Sequence, residues 1–226
     1  MAYHEKENLT DSYRAAKVFH DHAAEYDGWF DVSLVYTIEL AALKSLKTVM
    51  VDPKVEIGVG PGRFASDLDV AFGLDPARAP LCLALQRGIK CCQGIGEELP
   101  LKDETVGTVY LLFTLCFGTD PQKIIKESGR ILKDEGHLVV GMIPVGSVWG
   151  RHLAARKRAG NVFYTHANFY RIAAVRAWLA EAGMSIIEHR STLYQPPAQV
   201  SHLEEPREVL DEQAGFAVIT ARKNHG

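Results

Sequence analysis

The stretch Val55-Glu56-Ile57-Gly58-Val59-Gly60-Pro61-Gly62-Arg63-Phe64-Ala65 decides the fold of this chain. Its glycines alternate at 58, 60 and 62, and a carboxylate stands two residues before the first. Upstream lies a β-branched apolar run, Val49 to Val55, interrupted by Asp52-Pro53. Downstream, apolar residues recur at 64, 68 and 72, the spacing of one helical face. A strand therefore ends at Gly58, a helix runs from about Gly62 to Phe72, and the glycines lie on the turn between them. Such a turn lets a ligand approach bare backbone and aims helix N–H groups at it. A dinucleotide fingerprint, G-x-G-x-x-G, needs a small residue at position 63. Arg63 stands there instead, which disfavours a nicotinamide dinucleotide.

Outward from that turn, strands and helices alternate. Gly73-Leu74-Asp75-Pro76 reads as a short second strand ending in an acid, and 79–88 as a helix with Pro80 in its first turn. Lys90 to Gly94 is a third strand, 94–101 a glycine-containing loop, and the continuous apolar run Val106 to Phe117 holds the fourth strand. Asp120-Pro121 is a cap followed by an N1 proline, and Gly136 is the expected stop of that helix. His137 to Met142 is the fifth strand. A basic, partly helical insertion at about 145–167 follows, then a helix over 168–182 and strands at 185–189 and 217–220. The alternation predicts a mostly parallel α/β sheet.

Before the first strand, Thr10 or Asp11 can cap a helix whose inner side holds Tyr13, Ala16, Phe19, His20 and Ala23. Gly28 breaks it beside Tyr26, Trp29 and Phe30. A second helix, capped by Asp31 or Ser33, turns Val35, Ile38, Ala42 and Leu46 inward. Residues 1–48 are thus expected to form a helical lid on an α/β domain spanning 49–226.

Composition narrows the function. The 226 residues are 47% hydrophobic, enough for one domain with an appendage. Lys plus Arg number 25 against 28 Asp plus Glu, a formal net charge of -3, which argues against a nucleic-acid partner. The polar N-terminus does not read as a signal peptide, and the longest apolar run is too short to span a membrane. Four cysteines without metal-ligand spacing predict a reducing, cytoplasmic setting and no metal. Cys91-Cys92 read as small, buried strand residues, because neighbours on a strand face opposite ways.

The glycine stretch, read as E-x-G-x-G-x-G, resembles motif I of the class I S-adenosylmethionine-dependent methyltransferases. Gly94-Ile95-Gly96-Glu97-Glu98-Leu99-Pro100-Leu101-Lys102-Asp103 is similar to their G-x-A-E-x-L-P-F-x-D segment. Arg130 to Leu138 resembles R-x-L-K-P-G-G-x-L, and Ala23 to Phe30 resembles an A-x-x-Y-D-x-W-F lid. The likeness covers nearly the whole chain and leans towards small-molecule enzymes of the ubiquinone and menaquinone type and uncharacterised prokaryotic relatives. It implies a Rossmann-like seven-stranded sheet with helices on both faces. It also implies S-adenosyl-L-methionine as cofactor and a small soluble acceptor.

The resemblance also assigns residues. Gly58, Val59, Gly60 and Gly62 would bed the methionine portion, with Glu56 on its ammonium and Asp75, next to Pro76, on the ribose hydroxyls. Gly96 and Glu97 would flank adenine, and Thr114 and Tyr26 would complete the cofactor site. Each has a plainer role: Glu56 as a cap for nearby N–H groups, Asp75 as a turn residue. No residue declares itself a general base. Tyr26 and His20 are the catalytic candidates, and His20, Phe117, Trp149 and Arg151 the candidates for the acceptor. Trp29 and Phe30 read as docking residues of the lid. Two rivals stand beside this reading: a nucleotide-cofactor oxidoreductase and a non-catalytic sensor of S-adenosylmethionine. A monomer or a homodimer fits equally.

Overall fold

The computed structural model describes residues 11–224. The possible cap Thr10 lies outside them, and helix α1 (Asp11–Asp21) begins at the other candidate. Helices α2 (Ala23–Gly28) and α3 (Leu34–Lys44) follow, the latter capped by Ser33, whose Oγ accepts from the Tyr36 N–H at 3.2 Å. The core alternates β1 (Lys54–Ile57), α4 (Arg63–Asp67), β2 (Phe72–Asp75), α5 (Arg78–Gln86), β3 (Lys90–Gln93) and β4 (Val106–Leu112). It continues through α6 (Pro121–Ile131), β5 (Leu132–Met142), α7 (Val148–Arg158), α8 (Ile172–Glu181), β6 (Met184–Thr192) and β7 (Phe216–Lys223).

The seven strands form one sheet in the order β3-β2-β1-β4-β5-β7-β6. All pairs are parallel except those of β7, which runs antiparallel to both β5 and β6. The order reverses at β1 and β4: the first three strands step one way and β4 starts again on the other side. Such a switch point leaves a crevice at the strand carboxyl ends.

Each sheet face carries its own apolar layer. Ile124, Ile125, Val175 and Leu179 of α6 and α8 pack on Val109, Leu111, Leu138 and Val140. On the other face Ile38, Ala42, Phe64, Leu81 and Ala84 pack on Tyr110, Leu112, Val139 and Val218. Full burial of each large aliphatic side chain is worth about 1.5–3 kcal/mol. Helix α3 is therefore part of a core layer, with Ile38 and Ala42 fully buried, whereas α1 and α2 lie over the strand ends against α5. On α1 the inner side is Ser12, Ala15 and Ala16, and Tyr13 is exposed.

Several boundaries differ from the sequence reading. Helix α4 has only five residues, because Asp69 adopts a positive φ of 54° and the chain turns into β2 at Phe72. Phe72 pairs with Val55 and Lys90 instead of extending the helix. Helix α6 stops at Ile131, not at Gly136. The carbonyls of Arg130 and Ile131 accept the N–H groups of Glu104 and Thr105, which pulls the chain straight into β5. Strand β3 is an edge with little burial, so Cys92 is exposed and Cys91 only half-buried, not the buried pair expected.

Candidate functional site

The glycine turn closes on the end of β1. Gly58 has φ 78°, and a Cβ there would meet Thr114 Oγ1 at 2.6 Å. Gly62 has φ 79°, and a Cβ there would meet the Ala84 methyl at 2.9 Å. Both positions accept only glycine, one against the loop after β4 and the other against α5. Thr114 donates its hydroxyl to the Ile57 carbonyl at 2.6 Å, fixing β4's exit to β1's. At the end of β2, the Asp75 carboxylate accepts the N–H of Gly60 at 2.9 Å and that of Ala77 at 2.8 Å. Burial pushes the Asp75 pKa up to about 6 against those two bonds.

Around this turn lies a cleft, open to solvent on one side. Gly58, Gly60, Asp75, Pro76, Gly96, Glu97, Thr114, Phe117 and Tyr26 all line it. Ile57, Leu74, Ile95 and Ile124 give it an apolar floor. The expected helix N-terminus contributes less than the sequence suggested, since α4 is so short.

A second chamber adjoins the first and shares Phe19, Tyr26, Phe113 and Phe117 with it. Its walls are aromatic: Trp29, Phe30 and Tyr36 from the N-terminal segment, Trp149, Phe163, Tyr164 and Phe169 from 149–169. Trp29 and Phe30 thus face a cavity as well as docking the segment. The Tyr26 ring lies 4.9 Å from Phe19 and 5.4 Å from both Trp29 and Phe30, and its hydroxyl is shifted far up by burial.

The segment is tied to the core by charge. Asp27 accepts from Arg63 Nε at 2.7 Å and from an Arg87 guanidinium nitrogen at 2.9 Å. Burial alone would raise the Asp27 pKa, but the two guanidiniums outweigh it and hold it below the usual value. Arg63 also reaches Asp31 at 2.9 Å, and Arg87 donates to the Pro61 carbonyl at 2.8 Å. At the other end Glu97 Oε1 accepts from Ser12 Oγ and from the Thr119 N–H, both at 2.8 Å. Glu97 therefore anchors α1 while bordering the cleft.

Other sequence candidates lie elsewhere. His20 is exposed and accepts from the Ala79 N–H at 3.2 Å; it borders neither cavity, because its side of α1 faces the start of α5. Arg151 is exposed and donates to the Gly146 carbonyl, outside both cavities. Val59 and Gly62 do not border the cleft: the Val59 side chain fills the space beside Gly73, and Gly62 packs on α5. Glu56 sits behind the turn, 2% exposed, with Oε2 lacking a hydrogen-bond partner among the described residues. Burial, and then the Asp75 charge, push its pKa well up against a bond from the Ala65 N–H. The sequence reading missed Phe19, Phe113, Ser12 and the Asp27 pairing. Asp27 stands in the quoted lid segment, but its partners are 36 and 60 residues away.

A family model described as a methyltransferase domain matches residues 55–140. An uncharacterised protein of Mycobacterium tuberculosis is 41% identical over 203 residues, 88% of this chain and 71% of that protein. One from Methanocaldococcus jannaschii is 35% identical over 207 residues, 91% of this chain and 98% of its own. A crystal structure from Thermotoga maritima, named as a SAM-dependent methyltransferase with histamine N-methylation as a candidate activity, superposes with TM-score 0.86. It is 34% identical and covers 93% of this chain and 100% of that one. The chain is a class I S-adenosylmethionine-dependent methyltransferase.

The methyltransferase shares its fold with more distant enzymes as well. Magnesium protoporphyrin IX methyltransferase from Synechocystis, solved with bound S-adenosylhomocysteine, matches with TM-score 0.62 at 16% identity. It covers 95% of this chain and 100% of that one. The methyltransferase uses S-adenosylmethionine, and the residues present fit that group. A glycine turn bares backbone to the cleft, Asp75 stands at its edge, and Glu56 holds an unpartnered buried oxygen close behind. The oxidoreductase alternative has no support, and the arginine that counted against it is engaged with Asp27 and Asp31.

Proposed function

We propose that the methyltransferase methylates a small molecule taken up in the aromatic chamber, with S-adenosylmethionine in the adjoining cleft. The observation that carries this is the sharing of Phe19, Tyr26, Phe113 and Phe117 by two contiguous cavities, one beside the glycine turn. Bound there, the cofactor supplies a methyl carbon already activated by its sulfonium. The protein's work is then alignment and exclusion of water. Gly58 and Gly60 let the methionine portion lie against backbone, and Glu56 meets its ammonium through water. Asp75 turns its carboxylate to the ribose hydroxyls, beside Pro76. Gly96 and Glu97 border the adenine among Ile57, Leu74, Ile95 and Ile124, and Thr114 holds the strand end in place. Tyr26 and Phe19 flank the passage between the chambers, and Phe117 and Trp149 wall the acceptor. His20 and Arg151 have no part in it. Residues 11–30 act as a lid. The enzyme is taken to work in the cytoplasm, as a monomer or homodimer, on a soluble substrate; no helix among the described residues is long and apolar enough to cross a membrane, and all four cysteines are free.

Calorimetry with S-adenosylhomocysteine and with NAD tests the cofactor, and turnover of methyl-labelled S-adenosylmethionine against small nucleophiles tests the acceptor. S-adenosylhomocysteine at ~100-fold over its dissociation constant should add about 2.7 kcal/mol of stability, and NAD none. NAD binding without a response to S-adenosylhomocysteine would overturn the reading.

A further inference from the structure

Glu39 has no task in the scheme above, yet its placement is costly. It sits within α3, 7% exposed, one turn from Val35 and Tyr36, which border the aromatic chamber with it. Among the described residues no hydrogen bond or ion pair reaches it, although its neighbours Ser33, Tyr36 and Thr37 all make such bonds. A buried, unpaired carboxylate destabilises a fold, and an apolar residue at this position of α3 would not. Burial alone pushes its pKa up to about 8.

Its surroundings favour one kind of guest. No lysine, arginine or histidine borders the chamber, so among the described residues Glu39 is its one lining carboxyl, protonated while the chamber is empty and ionised by an ammonium placed beside it. The rest of the wall is largely rings. Trp29 stands 4.5 Å from Phe163 and stacks on Tyr164 at 6.3 Å, while Phe30 meets Tyr36 at 5.2 Å. Aromatic faces attract cations, most strongly where water is excluded. The exposed Arg156 already lies 5.2 Å over the Tyr164 ring, a cation accepted by the same wall.

We propose that the chamber takes an organic amine, with its ammonium held by Glu39 and its apolar body among Trp29, Phe30, Tyr36 and Tyr164. This rests on the aromatic chamber being the acceptor site. The ammonium is a recognition group that orients the acceptor. A neutral or acidic molecule of the same shape offers Glu39 no cation to pair with, so the selectivity is built from one ion pair inside a box of rings.

The test is titration calorimetry on the full-length protein saturated with S-adenosylhomocysteine. Phenethylamine and tryptamine are compared with the matching alcohols, 2-phenylethanol and tryptophol, and with 3-phenylpropionate. The amines should bind at least about tenfold tighter than their alcohols, as a charge-assisted contact requires, and the acid should not bind. Glu39→Gln keeps the side-chain shape; it should bring amine and alcohol within about threefold of each other while S-adenosylhomocysteine binds as in the parent. Amines no tighter than alcohols, or no amine bound at all, with S-adenosylhomocysteine in place, would overturn the proposal. Retained amine preference in Glu39→Gln would overturn it too. Failure of S-adenosylhomocysteine to bind the parent protein would instead strike the reading of the cleft.

Discussion

Asp75 serves two partners with one carboxylate. In the structure its oxygens are held by the Gly60 and Ala77 amides, so it shapes the glycine turn before any ligand arrives. Removing it should therefore cost both stability and affinity. Asp75→Ala orphans two N–H groups and should lower unfolding stability by about 1–3 kcal/mol in a denaturant melt. Asp75→Asn keeps one acceptor oxygen but loses the charge, and calorimetry should show S-adenosylhomocysteine at least ~10-fold weaker. Glu39 makes a different expectation, because its pKa is raised to about 8 by burial. The folded state keeps a proton that the unfolded chain releases above about pH 4.5. Its contribution is present in full below that value and is lost as pH rises through 8. Melts from pH 5 to 8.5 should show Glu39→Gln gaining on the parent as pH rises; a constant difference would refute the assignment. The two carboxylates also differ in how they could be read. Asp75 was legible, because a strand, a turn and a proline surround it locally. Glu39 was not, since its isolation arises only when 149–169 closes over α3.

At the scale of elements, the N-terminal segment depends on one joint. Asp27 at the end of α2 is met by Arg63 at the start of α4 and by Arg87 at the end of α5. Asp27→Ala removes those charge-assisted bonds and should cost about 1.5–3 kcal/mol. Hydrogen exchange in residues 11–30 should quicken in that variant. In the parent, the same residues should become protected when S-adenosylhomocysteine binds, as a closing lid requires. Equal exchange with and without ligand would make the segment static cover. Apolar spacing foretold these elements but not their ends. The pattern at 64, 68 and 72 fits a helix, yet Phe72 is claimed by neighbouring strands. Gly136 looks like a helix stop, yet α6 is ended earlier by amides of 104 and 105. In both cases partners distant in sequence set the boundary, and no local pattern contains them.

For the molecule as a whole, the alternation of strands and helices was enough to predict a mostly parallel sheet. The position of β7 between β5 and β6, antiparallel to both, was not contained in that alternation. Ile38, Ala42 and Leu43 of α3 belong to the layer formed with Val218 and Phe216, whereas α1 and α2 cover the cleft. Removing residues 1–30 should leave a chain that melts cooperatively and no longer binds S-adenosylhomocysteine. Removing residues 1–48 takes α3 out of one apolar layer, exposing part of that sheet face, and should give no cooperative melt by circular dichroism.

The rings of Phe19, Tyr26, Phe113 and Phe117 form a partition between the proposed cofactor cleft and the proposed acceptor chamber. A partition has one position at a time, so whatever fills one side sets the shape offered on the other. Linkage makes that influence mutual: the factor by which the cofactor alters affinity for the acceptor equals the factor by which the acceptor alters affinity for the cofactor. Four side chains thus give the two substrates a means of sensing each other's arrival before the nucleophile meets the methyl carbon.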